Sequence, residues 1–331
     1  MGKHTIWFHS RPSIVSTYSV AGKKEGDGPI GSVFDRILSD DYFGEKTFEK
    51  AECKMLSTAI ENVIKKSGYD KSDIDALISG DLLNQIVSAS FAARDFNIPY
   101  IGIYNACSTV TEGLALGATI VDGGYMSDVV VATGSHFSTA ERQYRYPLEF
   151  GSVRPPQSQW TVTGSGAAII SSRGGGPSIT AATFGKVVDY GVSDANNMGA
   201  AMAPAAMDTL ITHFTETGRT PDYYDLIVTG DLGALGSRIL KHIISQNGYD
   251  ISEKHVDCGE VIYNIDEEEY QGGSGAGCST IVFCSYIYGK LKKRELNKVL
   301  FLATGALLST VTTQQGETIP CISHAVAVEN D

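Results

Sequence analysis

The chain has 331 residues, of which 42% are hydrophobic, so it can bury a full core, and disordered and fibrous classes are excluded. Its formal net charge of -12 argues against a general attraction to nucleic acid, and it disfavours an anionic membrane surface or an acidic carrier protein as a partner. The N-terminal residues lack the apolar core of a secretion signal, and no stretch has membrane-spanning length, so we expect an intracellular protein.

The first half of the chain alternates helical patterns with short β-rich runs. In chain order we predict helices over 48–67, 85–96 and 108–122, and strands over 76–79, 100–104 and 129–133. Strands that alternate with helices favour parallel pairing and right-handed crossovers. An Arg-Gly-Gly-Gly-Pro run at 173–177 then predicts a flexible join.

The second half follows a similar order, with helices predicted over 204–217, 235–247 and 276–288 and strands over 226–229 and 299–304. Segments 75–82 and 225–232 match at an offset of 150 residues. Cys-Ser-Thr at 107–109 matches 278–280, and Ala-Thr-Gly at 132–134 matches 303–305, both at an offset of 171 residues. These matches predict a duplication with an insertion near 247–271 in the second copy.

The duplication predicts an α/β protein of two βαβαβαβ-type halves, 1–173 and 174–331, with the first half carrying Cys107. Small residues are frequent in the predicted helices 108–122 and 276–288. Because glycine lowers helix propensity, its use among the small residues of both copies suggests a close approach of two backbones. We therefore expect these helices to pack together at the centre.

A family resemblance begins at Cys107. A strand at 100–104, Asn-Ala-Cys-Ser at 105–108 and a small-residue helix resemble the nucleophile site of ketoacyl synthase III-like condensing enzymes of the thiolase superfamily. Segment 161–168 resembles that family's glycine-rich stretch, and Gly305 falls where the family supplies an oxyanion-hole amide. The resemblance implies a thiolase-like fold with α/β/α/β/α layers. It also implies a thiolate favoured by a helix N-terminus.

The departures from that family concern its catalytic partners. The condensing enzymes keep a histidine where this chain has Val-Thr-Gly-Asp at 228–231, and an asparagine where it has Gly-Gly-Ser at 272–274. Without them, acid-base support for condensation is missing. We therefore expect no catalytic residue, and Cys107 is either a small packing residue, a pocket wall or, least favoured, a working nucleophile.

The closing run 309–328, with Val-Arg-Pro-Pro at 153–156 and Trp-Thr-Val-Thr-Gly at 160–164, resembles the stage V sporulation protein AD family. This resemblance implies binding of dipicolinic acid, pyridine-2,6-dicarboxylate, and its uptake into the developing spore. It also implies action beside other stage V sporulation membrane proteins, peripheral to the spore inner membrane, and a homodimer. An active acyltransferase using Cys107 and a structural adaptor are the alternatives.

A dianion needs cations, and the segment from His136 to Trp160 is the richest supply near Cys107. The predicted ligand-binding residues are Cys107, His136, Arg142, Arg145, Arg154, Lys186 and Gly305. The alternative for this segment is a dimer contact, and for Lys186 a solvated side chain.

Three further signals are weak. The glycines of 272–277 match neither nucleotide-binding spacing and favour close helix packing over phosphate binding. The acidic run 266–269 could meet calcium, but a solvated loop is favoured. Six cysteines without a Cys-x-x-Cys pair predict reduced thiols, and we expect no metal and no cofactor.

Overall fold

The computed structural model describes residues 3–144, 154–265 and 271–330. The strands are β1 (Thr5–Trp7), β2 (Ser13–Ala21), β3 (Arg36–Ile37), β4 (Ala76–Gly80), β5 (Tyr100–Gly102), β6 (Asp128–Ser135), β7 (Trp160–Thr161), β8 (Gly164–Ser171), β9 (Ser178–Phe184), β10 (Leu226–Gly230), β11 (His255–Asp257), β12 (Gly273–Ser274), β13 (Lys298–Ala306) and β14 (Cys321–Glu329). The helices are α1 (Lys23–Gly26), α2 (Phe48–Ser67), α3 (Val87–Ala93), α4 (Thr109–Asp122), α5 (Phe137–Tyr144), α6 (Met198–Thr217), α7 (Gly233–Ser245), α8 (Cys258–Ile262), α9 (Ala276–Val282), α10 (Tyr288–Lys292) and α11 (Thr310–Gln314).

The main sheet repeats one strand order twice. Its main path runs β11-β10-β13-β14-β9-β2-β8-β6-β4-β5. We call β2, β4, β5, β6 and β8 the first set of strands, and β9, β10, β11, β13 and β14 the second set. Read outward from β2 in the first set and from β9 in the second, the order in each set is first, fifth, fourth, second and third along the chain. In each set the second strand pairs in parallel with the third and fourth, and the other two pairings are antiparallel. The predicted duplicated α/β fold is confirmed, while the division at 173 and 174, between β8 and β9, stays a prediction.

Three apolar clusters lie between the helix layers and the strand layers of the fold. One cluster lies between α2 and α3 and the strands of the first set, and a second lies between α6 and α7 and the strands of the second set. The largest cluster surrounds α4 and α9 and includes strand residues from both sets. The two central helices are therefore buried on both sides by sheet, which is the predicted α/β/α/β/α arrangement.

The central helices use their glycines against strands. A Cβ added at Gly113 would lie 2.6 Å from Val131 Cγ1, and one added at Gly117 would lie 2.8 Å from Ile170 Cδ1. Helices α4 and α9 do contact each other, as predicted. The glycines of α4, however, allow that helix to approach the side chains of β6 and β8 rather than the backbone of α9.

The glycine run before α9 also serves packing. Gly275 has φ +110°, which an L side chain rarely adopts, and a Cβ added there would lie 2.8 Å from Ser135 Oγ. A Cβ at Gly277 would clash with the carbonyl oxygen of Gly164. These contacts support the packing interpretation of 272–277.

Two of the differences between the observed and the predicted helix limits have an identifiable structural cause. The helix predicted over 85–96 spans Val87–Ala93, because Gln85 (φ 62°) and Ile86 (φ 48°) have left-handed backbone conformations. The helix predicted to start at residue 204 starts at Met198, with Pro204 inside it. Proline favours a first turn, but here the apolar packing of α6 extends the helix past it.

The second central helix is interrupted where a single helix was predicted over 276–288. A π-turn at Phe283–Ile287 separates α9 from α10. Thr17 Oγ1 donates a hydrogen bond of 2.6 Å to the carbonyl oxygen of Cys284. This side chain from β2 satisfies a carbonyl inside the widened turn.

Of the helices within the described ranges, none is both long enough and apolar enough to cross a bilayer.

A buried ion pair ties β14 to the turn after α6. Arg219 Nη2 lies 2.8 Å from Glu329 Oε1, and the two side chains are 11% and 8% exposed. Glu329 also accepts a hydrogen bond of 2.9 Å from the hydroxyl of Tyr223. The Arg219 guanidinium lies 4.8 Å from the Trp7 ring centroid, so the pair also supports β1.

We predict that Arg219→Ala lowers the free energy of unfolding by about 3–5 kcal/mol, because it leaves the Glu329 carboxylate buried without its cation. Urea unfolding followed by circular dichroism measures the loss. Arg94→Ala is the control, since Arg94 and Asp95 form a pair with side chains 67% and 58% exposed. That control is expected to change the free energy by less than about 0.5 kcal/mol. Equal losses in the two variants would contradict the prediction.

Candidate functional site

A cavity of about 490 Å³ lies beside Cys107, near the start of α4 and of α9. Its volume falls within the usual range for small-molecule sites. Apolar lining comes from Leu82, Ala106, Cys107, Ala140, Ala306 and Leu308, and polar lining from Glu141, Arg154, Ser158, Gln159, Asn196 and Gln314. Residues before and after the 173–177 join both contribute, so the cavity depends on the packing of the two strand sets.

A constrained turn presents Cys107 to this cavity. Ala106, directly before it, has φ 50°, a left-handed conformation that costs energy for a residue with a Cβ. The adjacent strand β13 must approach closely, because a Cβ at Gly305 would clash with the carbonyl oxygen of Asn105. Gly305 therefore supports the turn, and the neighbouring Ala306 lines the cavity.

The surroundings of Cys107 suppress ionisation of its thiol. Burial raises the pKa of Cys107 well above its ordinary value, and the carboxyl of Asp231 raises it further. Asp231 is fully buried with φ 73°, and burial, followed by the proximity of Asp257, raises the pKa of its own carboxyl. Ser279 Oγ donates to Asp231 Oδ2 at 3.1 Å. A buried acid at residue 231 therefore stands near the thiol, where a condensing enzyme would need a base.

Arg154 brings positive charge to the cavity wall. Its side chain is 13% exposed and forms an ion pair with Glu141. Its Nη1 donates a hydrogen bond of 2.7 Å to the backbone carbonyl of Gln159. The guanidinium also lies 4.9 Å from the ring centroid of Trp160 and 5.2 Å from that of Phe137. These contacts hold a planar donor group in one orientation.

The predicted ligand-binding residues Arg142, His136 and Lys186 do not line the cavity. Arg142 does not line the cavity; its side chain is 44% exposed and pairs with Glu49 at 2.8 Å. His136 is fully buried, and its Nε2 lies 2.8 Å from the backbone carbonyl oxygen of Asp41.

Lys186 is 62% exposed and pairs with Asp208 at 2.9 Å, away from the cavity lining. Arg145 and the acidic run 266–269 lie outside the described residues. The structure therefore brings together Cys107, Arg154 and the supporting Gly305.

Several lining residues were missed by the sequence analysis. Glu141 and Gln159 lie within the predicted 136–160 segment, but their neutral or negative charge gave no reason to choose them. Asn196 comes from the loop before α6 and Gln314 from the end of α11, and both are distant in sequence from Cys107. Among the residues that the structure describes, no group of three or more His, Cys, Asp or Glu side chains could hold a metal ion.

The chain matches the family model of stage V sporulation protein AD over residues 2–329. It is 47% identical over 329 residues to the stage V sporulation protein AD of Bacillus subtilis (strain 168), covering 99% of this chain and 97% of that protein.

Solved structures of condensing enzymes share the fold. The 3-oxoacyl-[acyl-carrier-protein] synthase III of Aquifex aeolicus VF5 is 13% identical with a TM-score of 0.61, covering 96% of this chain and 100% of that one. A variant of Xanthomonas campestris OleA is 14% identical with a TM-score of 0.63, covering 98% and 100%. At such identities the likeness establishes the thiolase-like fold alone.

We predict that the native protein at pH 8 reacts with iodoacetamide at Cys53 before Cys107. Burial raises the pKa of both thiols, but Cys53 is only half-buried, whereas Cys107 is buried and its pKa is raised well above its ordinary value. Peptide mass spectrometry after timed quenching identifies the labelled thiol. Denatured protein, in which all six free cysteines should react, is the control. Complete labelling of Cys107 ahead of Cys53 in native protein would contradict the suppressed thiol.

Proposed function

Because the chain belongs to the stage V sporulation protein AD family, with a thiolase-like fold, we propose that it acts in sporulation by binding dipicolinic acid and supporting its uptake into the developing spore. In this proposal the cavity beside Cys107 holds the ligand, and the protein carries out no acyl transfer.

The observation that carries the proposal is the oriented Arg154 guanidinium in the wall of a roughly 490 Å³ cavity. Dipicolinate is a planar aromatic dianion, and a guanidinium fork binds a carboxylate with two parallel hydrogen bonds. Apolar lining residues, among them Leu82 and Ala306, offer contact for the faces of the pyridine ring. Glu141 would then share the guanidinium with the ligand, so the ion pair has to loosen on binding.

An acyltransferase and a structural adaptor are the two alternatives to dipicolinate binding. Cys107 at the start of a buried helix favours an acyltransferase, but its raised pKa and the acidic Asp231 beside it oppose nucleophilic attack. A structural adaptor would need neither ligand nor acyl group. Binding of dipicolinate without acylation separates the first proposal from both.

We also propose a homodimer and action beside other stage V sporulation membrane proteins, peripheral to the spore inner membrane. Support for the dimer comes from β5, the last strand on one end of the sheet path. Phe91 on the adjoining α3 is 52% exposed, and Tyr104 just after β5 is 40% exposed. Within the described ranges no further strand pairs with the outer edge of β5, and such an edge beside apolar side chains favours pairing with another chain. Support for the membrane partners is family membership.

We predict that the protein binds dipicolinate in calorimetry and that Arg154→Ala weakens binding roughly ten- to a hundredfold, because a charge-assisted pair is lost. Arg154→Lys should recover only part, since a lysine cannot form the fork. Isophthalate, which has the same carboxylates without the ring nitrogen, tests whether that nitrogen is recognised.

Arg142→Ala is the matched control, because Arg142 lies on the adjoining helix outside the cavity and pairs with Glu49. Its affinity for dipicolinate is expected to equal that of the unmodified chain. Absence of dipicolinate binding by the folded unmodified chain would refute the proposed function. Equal effects of the two alanine variants would remove Arg154 from the site.

We further predict that incubation with acyl-CoA donors leaves no stable acyl group on Cys107, because segments 228–231 and 272–274 lack the histidine and asparagine of the condensing enzymes and burial raises the pKa of the thiol. Intact-mass measurement detects any adduct, and Cys107→Ser identifies its position. A stoichiometric adduct that disappears in Cys107→Ser would favour the acyltransferase.

A further inference from the structure

We propose that Gln159 is a positioning residue, which holds the Arg154 guanidinium in its ligand-binding orientation by anchoring it to the backbone of the second half. This inference rests on the proposed function, because its effect is read as ligand affinity. Gln159 is 6% exposed and lines the cavity beside Arg154.

The side chain of Gln159 reaches across to the second half. Its Nε2 donates to the backbone carbonyl oxygen of Asp231 at 2.7 Å and to that of Gly273 at 3.2 Å. Because both partners are acceptors, only the amide nitrogen can face them, which fixes the orientation of the amide. The two carbonyls belong to the loop after β10 and to β12, so one side chain joins both.

The backbone of the same residue meets Arg154. Gln159 O accepts the Nη1 hydrogen bond of 2.7 Å, while Nη2 pairs with Glu141. A guanidinium is planar, so partners on two of its nitrogens define the plane in which all of its donors lie. Movement of the Gln159 carbonyl therefore rotates the face that Arg154 offers to a carboxylate.

Other bonds attach this segment to the second half without touching the guanidinium. Trp160 N donates to Gly272 O at 2.8 Å, and Val162 N donates to Ser274 O at 2.8 Å. Gln271 Nε2 donates to Pro156 O at 2.8 Å. These bonds keep the segment attached when Gln159 is changed, so the expected consequence is a reoriented Arg154 in a folded protein.

Gln271 provides the matched control. Like Gln159, it is a glutamine whose side-chain amide donates to a backbone carbonyl across the same two segments. It does not line the cavity, and the bonds it makes leave Arg154 untouched. Gln271→Leu therefore loosens the attachment alone, whereas Gln159→Leu loosens the attachment and the guanidinium.

The test is a double-mutant cycle in dipicolinate affinity, measured by calorimetry on the full chain. Gln159→Leu is expected to weaken binding about tenfold in the unmodified chain and less than about twofold in the Arg154→Ala background. Gln271→Leu is expected to leave affinity unchanged. Equal losses from Gln159→Leu in the two backgrounds, or no loss in either, would overturn the inference.

A ligand-free measurement separates this inference from the proposed function. In a crystal structure of Gln159→Leu, the bond between Arg154 Nη1 and the carbonyl of residue 159 should be broken. If the unmodified chain fails to bind dipicolinate but this bond breaks, the proposed function fails while the positioning role stands. A guanidinium unmoved in the variant would refute the positioning role whatever the ligand result.

Discussion

The burial of two helices between the two strand sets is the constraint on which the rest of the molecule depends. Helix α4 can lie against β6 and β8 only because Gly113 and Gly117 present no side chain to Val131 and Ile170. Gly277 gives α9 the same closeness to the start of β8. With both helices held at sheet distance, their N-terminal ends meet at Cys107 and Gly275, and the cavity forms where they meet. The cavity is therefore a product of backbone packing in the core.

Sequence patterns predicted most of the fold because duplication and periodicity are local or repeated signals. The helix predicted at 48–67 has regularly spaced apolar residues, and the strand predicted at 76–79 is a short apolar run. They match α2 and β4 closely. The helix ends at residues 87 and 198 could not be predicted. The first depends on strained conformations of Gln85 and Ile86, and the second on tertiary contacts that carry a helix past Pro204.

The candidate site was only partly predictable for a related reason. The arginines were predicted from their charge, and the Cys107 turn from its place between a strand and a helix. Neither property determines the direction in which a side chain points. Charge alone does not distinguish Arg142 from Arg154, yet Arg142 pairs with Glu49 on the surface and Arg154 lines the cavity. Gln159 and Asp231 gain their importance from backbone contacts between halves, which leave no pattern along the chain.

The strand order has a consequence for how the chain reaches its native state. Each set closes by pairing its first strand with its last, so Ser13 meets Ser171 and Ser178 meets Glu329, pairs separated by 158 and 151 residues. Contacts between such distant positions require large loops to be closed before any pairing energy is gained, and they slow folding. The first strand of each set is therefore expected to pair late, because it joins a last strand whose other partner, β6 or β13, is much nearer in sequence.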